Sequence, residues 1–161
     1  MAIISKNTFV TQIVGYGGGT LAALGRHLIL EMWDCSSDTV NNIEGIKEIL
    51  AKTAKVINAT VIDIMCHHFS PYGVTGVAIL AESHISIHTW PEYQYVAADI
   101  FLCGNEISPQ VAATYLIQAF QAKETSFAEF KRGDLLSRQI LNYKTSAPFT
   151  KDVESSAPAL L

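Results

Sequence analysis

Glu82-Ser83-His84-Ile85-Ser86-Ile87-His88-Thr89-Trp90-Pro91 is the stretch that decides how this chain folds. Ile85 and Ile87 alternate with His84, Ser86 and His88, and a period of two predicts an extended strand with one apolar face and one polar face. β-Branched residues and the closing Pro91 disfavour a helix there. The next run, Tyr93 to Cys103, follows a Trp90-Pro91-Glu92 bend and repeats the pattern. Its even positions, Val96, Ala98, Ile100 and Leu102, are apolar, whereas Tyr95, Asp99, Phe101 and Cys103 on the other side are mixed. The sheet therefore has a greasy face for helices to cover and a second face that joins reactive groups to large aromatics. Tyr93, Tyr95 and Phe101 make that second face poorly suited to water, so a homodimer packing these faces together, with the sites at the interface, is expected.

Working outward, Arg26 to Trp33 alternates around Leu28, Leu30 and Met32 and predicts a strand. Ser36-Ser37-Asp38 then offers a helix N-cap, followed by apolar residues at Val40, Ile43, Ile46, Leu50, Ala54 and Ile57. That spacing predicts one helix with a single buried stripe. Thr60 to Met65 and Val74 to Leu80 read as strands around the turn Ser70-Pro71-Tyr72-Gly73. Ser108-Pro109 opens a second helix carrying Val111, Ala112, Tyr115, Leu116, Ala119 and Phe120, and Thr125 to Arg132 reads as a last strand. The order β-α-β-β-β-β-α-β predicts an α+β two-layer sandwich, a mostly antiparallel sheet with two helices on one face. Residues 1–22 end in a glycine run (Gly15, Gly17, Gly18, Gly19) with no lysine in phosphate-loop position, and read as a flexible leader. The domain is expected over 23–144. The tail 145–161, rich in Ser, Ala and Pro, is expected to be disordered.

The 161-residue length suits one domain, and 49% hydrophobic residues is ample for a core. Charged residues make up only 16%, which suggests that another subunit covers some surface. A net charge of −4 without a basic cluster argues against nucleic acid as partner. No apolar run reaches the roughly 18 residues of a membrane span. Cys35, Cys66 and Cys103 lack the spacing of a disulfide framework and read as reduced thiols of a cytosolic protein.

Ser83 follows the loop end Ala81-Glu82, with His88 expected close by on the strand that follows. A serine hydroxyl can attack its own preceding carbonyl when it is strained or activated, and an imidazole can move the proton. The result would be an ester between Glu82 and Ser83. β-Elimination would turn that ester into dehydroalanine, and hydrolysis would leave a pyruvoyl group at a new N-terminus. His88 is the candidate base for removing the Ser83 α-proton, and Thr75 a candidate hydroxyl for polarising the ester. Cys103 shares the reactive face. A free thiol titrates at about 8.5 and is mostly protonated at neutral pH, which suits a general acid as well as a small buried hydrophobe. Cys35 and Cys66 read as structural. His84 and His88 on one strand lie about 13 Å apart, too far to share a metal ion, so no metal site is expected. His67 and His68 point to opposite faces and read as satisfied or exposed histidines. Phe69 and Trp90 flank the site and could pack in the core or stack on a planar ligand.

The block Ala81 to Tyr93, followed by Ala98-Asp99-Ile100-Phe101-Leu102-Cys103-Gly104, closely resembles the prokaryotic S-adenosylmethionine decarboxylase proenzymes, a pyruvoyl-dependent family. Leu24-Gly25-Arg26-His27, His68-Phe69-Ser70-Pro71 with Gly73-Val74, and Lys131-Arg132-Gly133 extend the resemblance over residues 24 to 133. It implies self-cleavage into a β chain, 1–82, and an α chain, 83–161, that begins with a pyruvoyl group made from Ser83. That carbonyl would form a Schiff base with S-adenosylmethionine and drive decarboxylation without pyridoxal phosphate or metal. The product would donate aminopropyl groups for spermidine biosynthesis. The resemblance makes His88 the processing residue and Cys103 the proton donor, places Phe69 and Glu92 in the substrate site, where Trp90 is also expected from its stacking chemistry, and implies a homodimer of processed protomers. The second processing hydroxyl, usually serine in the family, is here Thr75. Two other readings stay open on the sequence. One is a decarboxylase of arginine or ornithine on the same scaffold, and the other is a non-catalytic ligand- or metal-binding α+β module.

Overall fold

The computed structural model describes residues 23–104 and 107–133, together with the backbone of 11–13. Its strands are β1 (Thr11–Ile13), β2 (Gly25–Trp33), β3 (Val61–His68), β4 (Val74–Leu80), β5 (Ser83–Trp90), β6 (Tyr95–Cys103) and β7 (Glu124–Arg132). Its helices are α1 (Ser37–Val40), α2 (Ile43–Val56) and α3 (Pro109–Phe120), with a 3₁₀ turn at Pro91–Tyr93. The strands form one sheet in the order β1-β7-β2-β6-β5-β4-β3. Every pairing is antiparallel except β1 with β7. This is the α+β two-layer sandwich that the pattern predicts.

Parity places the core. Leu28, Leu30 and Met32 of β2, Ala78 of β4, Ile85 and Ile87 of β5, and Val96, Ala98, Ile100 and Leu102 of β6 are all buried under the helices. α2 covers them with Ile46, Ile49, Leu50, Thr53 and Ala54, and α3 with Ala112, Ala113, Leu116 and Phe120. Full burial of an aliphatic or aromatic side chain contributes roughly 1.5–3 kcal/mol, so this shared face is the main source of stability. Gly76 lets α2 approach β4. A Cβ built there would stand 2.9 Å from Leu50 Cδ1 and 3.1 Å from Cys66 Sγ. At the start of α3, the half-buried Arg26 guanidinium meets Glu129 at 2.5 Å and Gln110 at 2.9 Å, so the polar groups under that helix end are paired.

Three features differ from expectation. The single helix predicted from Ser36 to Ile57 is two, broken at Asn41 and Asn42. The Asn42 side chain accepts from Gly45 N–H at 3.0 Å and caps α2, whereas Ser36 makes no side-chain cap. Apolar spacing ran unbroken across the join, which hid it. Strand β3 extends past Met65 through His68, because Cys66, His67 and His68 pair with Gly76, Thr75 and Val74 of β4. Within the stretch read as a leader, Thr11–Ile13 adds a parallel edge strand to β7, a run too short to stand out by periodicity. The expected tail, 145–161, lies outside the described residues.

The face away from the helices carries a polar line across four strands. His27 donates from Nε2 to Asp99 at 3.2 Å and accepts at Nδ1 from Arg132 at 3.0 Å, while Ser86 donates to Asp99 at 3.3 Å. Around that line Met65, Trp33 and Trp90 are exposed.

Candidate active site

The tight connection from β4 to β5, in which Leu80 pairs with Ser83, puts residues 81 and 82 at the end of the sheet. The Glu82–Ser83 peptide is held there from two sides. The Glu82 carbonyl accepts from the Cys103 backbone N–H at 2.8 Å. The Glu82 carboxylate accepts from Thr60 N–H at 3.0 Å, and Ala81 N–H donates to the Thr60 carbonyl at 2.9 Å. Between these anchors Ser83 adopts φ +133°, a region that L-residues rarely visit and that stores strain where it occurs. Its Oγ lies 3.1 Å from His84 Nδ1. Glu82, Ser83 and His84 are half-buried and Cys103 is exposed. Glu82 and Cys103 line an open cleft of about 730 Å³ between the end of α2 (Val56) and the start of α3 (Val111).

A second constellation sits further along β5. His88 pairs across the ladder with Thr75, and the two side chains meet at 2.8 Å from Thr75 Oγ1 to His88 Nδ1. Aromatic residues gather at this end. Trp33 stacks on Tyr95 at 4.1 Å, Trp90 lies 5.2 Å from Tyr95, and Phe69 meets His67 edge-on at 4.7 Å. Tyr95 donates to the Glu31 carboxylate; burial first, then that bond and charge, push its hydroxyl up to about 12. Glu92 is exposed on the 3₁₀ turn.

The expected residues thus fall into two groups. Glu82, Ser83 and Cys103 come together at one end of the sheet; Thr75, His88, Phe69, Trp90 and Glu92 gather at the other. His88 does not stand beside Ser83 on a following strand. Both belong to β5, five residues apart, a separation of about 16 Å at a strand rise of about 3.3 Å per residue. Two groups escaped the sequence. One is the His84 imidazole on the Ser83 hydroxyl, and the other is the Cys103 N–H on the Glu82 carbonyl. Neither follows from side-chain parity, since one depends on an unusual φ and the other on the backbone. Burial, aided by the Asp34 charge, pushes the Cys35 thiol up to about 12, which suits a structural role. Cys66 is raised mainly by burial. Among the described residues, no three His, Cys, Asp or Glu side chains converge as a metal site.

Fold and site together define an α+β two-layer sandwich in which a strained serine, an imidazole and the backbone of Cys103 meet at one strand junction. A family model described as S-adenosylmethionine decarboxylase matches residues 26–133. A protein from Thermodesulfovibrio yellowstonii named S-adenosylmethionine decarboxylase proenzyme is 47% identical over 116 residues, 72% of this chain and 86% of that one. One of the same name from Methanococcus aeolicus is 45% identical over 113 residues, 70% of this chain and 97% of that one. The crystal structure of the adenosylmethionine decarboxylase from Aquifex aeolicus superposes with a TM-score of 0.66 at 34% identity, covering 70% of this chain and 93% of that one. The chain belongs to the S-adenosylmethionine decarboxylase family.

Proposed function

We propose that this chain cleaves itself between Glu82 and Ser83 and then acts as a pyruvoyl-dependent S-adenosylmethionine decarboxylase. The observation that carries the reading is the bond from Cys103 N–H to the Glu82 carbonyl. It ties the backbone of Cys103 to the peptide proposed for cleavage, which supports a site shared by Glu82, Ser83 and Cys103. The donor set fits a pyruvoyl precursor: a hydroxyl on a strained backbone, next to a carbonyl already accepting a hydrogen bond. A pyruvoyl group at position 83 supplies a ketone that can condense with an amine and draw electrons as CO₂ leaves. The Cys103 thiol is the proton source for the substrate α-carbon, delivered from the cleft wall beside position 83. Decarboxylated S-adenosylmethionine, the aminopropyl donor for spermidine biosynthesis, is the product. Three free thiols fit the reducing cytosol.

The 16 Å gap along β5 supports a homodimer. One chain cannot bring its own His88 to Ser83, but two sheets packed open face to open face about a two-fold axis set the ends of one β5 against the opposite ends of the other. Thr75 and His88 of one copy would then work on Ser83 of the other, and Phe69, Trp90 and Glu92 would bind the substrate across the interface. The apolar residues on the open face favour such burial.

Intact-mass measurement tests the cleavage. Two fragments meeting at 82/83, with a carbonyl reducible by borohydride on the larger residue number side, are expected. One chain of 17.6 kDa with no reactive carbonyl would refute it. Release of CO₂ from S-adenosylmethionine, and not from arginine or ornithine, fixes the substrate. Co-expression of Ser83→Ala with His88→Ala tests the shared site. Cleavage of the His88→Ala chain is expected only in the mixture, and its failure there would place His88 outside the partner's site.

A further inference from the structure

The family reading assigns a histidine to the processing reaction, but within one chain His88 is distant from the hydroxyl that must start it. His84 is not. Its Nδ1 lies 3.1 Å from Ser83 Oγ, within reach for proton transfer. The ring is also held in place. His84 sits opposite Phe101 in the ladder, and its ring meets Phe101 edge-on at 5.9 Å and 75°. Phe101 is itself flanked by His27 at 5.5 Å and by the Arg132 guanidinium at 5.5 Å. Nucleophile, base, a support for the base and a donor on the carbonyl to be attacked therefore stand in one row, the arrangement that activates a nucleophile.

Resting on the self-cleavage proposed above, we infer that His84 is the catalytic base of the first step and that the Cys103 backbone N–H stabilises the oxyanion it produces. The Ser83 Oγ proton passes to His84 Nδ1 as Oγ bonds to the Glu82 carbonyl carbon. Negative charge gathers on the carbonyl oxygen, where the Cys103 N–H already donates at 2.8 Å. Collapse breaks the bond from that carbon to the Ser83 nitrogen, and the proton held by His84 passes to the departing nitrogen. One C–O bond replaces one C–N bond, the proton moves from oxygen to nitrogen, and no co-reactant is consumed. His88, reaching across from the second copy in the proposed dimer, is left for the later removal of the Ser83 α-proton. The two imidazoles of β5 thus divide the work.

The test follows cleavage of the full chain by intact mass, with hydroxylamine added to split any ester at Glu82. His84→Ala is expected to slow cleavage by about 10²–10⁴-fold, the usual contribution of a general base, and to yield no hydroxylamine-released fragment. Added imidazole is expected to restore part of the rate in His84→Gly. His88→Ala is expected to accumulate the hydroxylamine-sensitive ester. Wild-type cleavage by His84→Ala, or a build-up of ester in it, would overturn the assignment. Urea unfolding checks that each variant folds. If His84→Ala does not, the decision passes to His84→Gln, which fills the space against Phe101 without a base; wild-type cleavage there overturns the proposal and slow cleavage without ester supports it. If the wild-type chain itself stays whole, the function proposed above fails. If it cleaves and the His84 variants keep pace, only the role of His84 fails.

Discussion

Two substitutions that both delete the Ser83 hydroxyl should differ in stability, and the sign of the difference reports the strain at the proposed cleavage point. At φ +133° an L-residue carries a penalty of roughly 1–3 kcal/mol, because its Cβ crowds the backbone. Alanine keeps that Cβ; glycine removes it. Glycine also loses more chain entropy on folding, a cost of about 0.5–1 kcal/mol at an ordinary strand position. Were Ser83 relaxed, Ser83→Gly would therefore be the less stable variant by about 0.5–1 kcal/mol. With the observed backbone the strain term outweighs the entropy term, and Ser83→Gly should be more stable than Ser83→Ala by roughly 1–2 kcal/mol. Both variants should remain whole, so urea unfolding compares like with like. At a typical slope of about 1–3 kcal/mol per molar urea, the glycine midpoint should lie roughly 0.5–1 M higher. A lower midpoint for glycine than for alanine would refute the argument that this peptide is held under strain.

Other outcomes follow from the same geometry. Gly76→Ala, made in the Ser83→Ala background to keep the chain whole, should destabilise by about 1–2 kcal/mol, because its new methyl would meet Leu50 and Cys66 in a packed core. Adding Leu50→Ala should give a combined loss smaller than the sum of the two separate losses, as a double-mutant cycle in urea would reveal. Cys103→Ala keeps the backbone N–H and should still cleave, yet turn over S-adenosylmethionine poorly; normal CO₂ release would remove the thiol from the reaction. Alkaline stability has a definite sign. Below about pH 9 both folded and unfolded Cys35 keep their proton; between there and about 12 only the folded thiol keeps it, so stability falls as pH rises. Urea unfolding at about pH 8 and about pH 10.5 should show a smaller loss for Cys35→Ala than for the parent.

The middle of the sheet was readable because its strands bury an apolar parity, most cleanly Val96, Ala98, Ile100 and Leu102 of β6, which water and core sort without ambiguity. The break between α1 and α2 was not, because Val40 and Ile43 keep helical spacing across a join that only the Asn42 cap reveals. For the candidate site, Glu82, Ser83 and Cys103 were legible as residue types and do meet in space. The distance from Ser83 to His88 was misjudged because β5 begins at Ser83 itself, so both residues lie on one rigid strand. Phe69, Trp90 and Glu92 flank Ser83 in sequence yet gather at the far end of the ladder, since extended chain separates what short spacing suggests is near. His84 was visible only as part of a polar face. Its bearing on the serine depends on a backbone angle that composition does not encode.

The strand order also bears on what the proposed cut would do to the molecule. Opening the chain before Ser83 leaves β2, β3 and β4 on one piece and β5, β6 and β7 on the other. Yet β2 is threaded between β7 and β6, hydrogen-bonded on both flanks to strands of the opposite piece. The halves are interlaced like fingers, and pulling them apart means unzipping two ladders and opening the core at once. The two pieces of a nicked molecule should therefore sediment and elute together, parting only under denaturant.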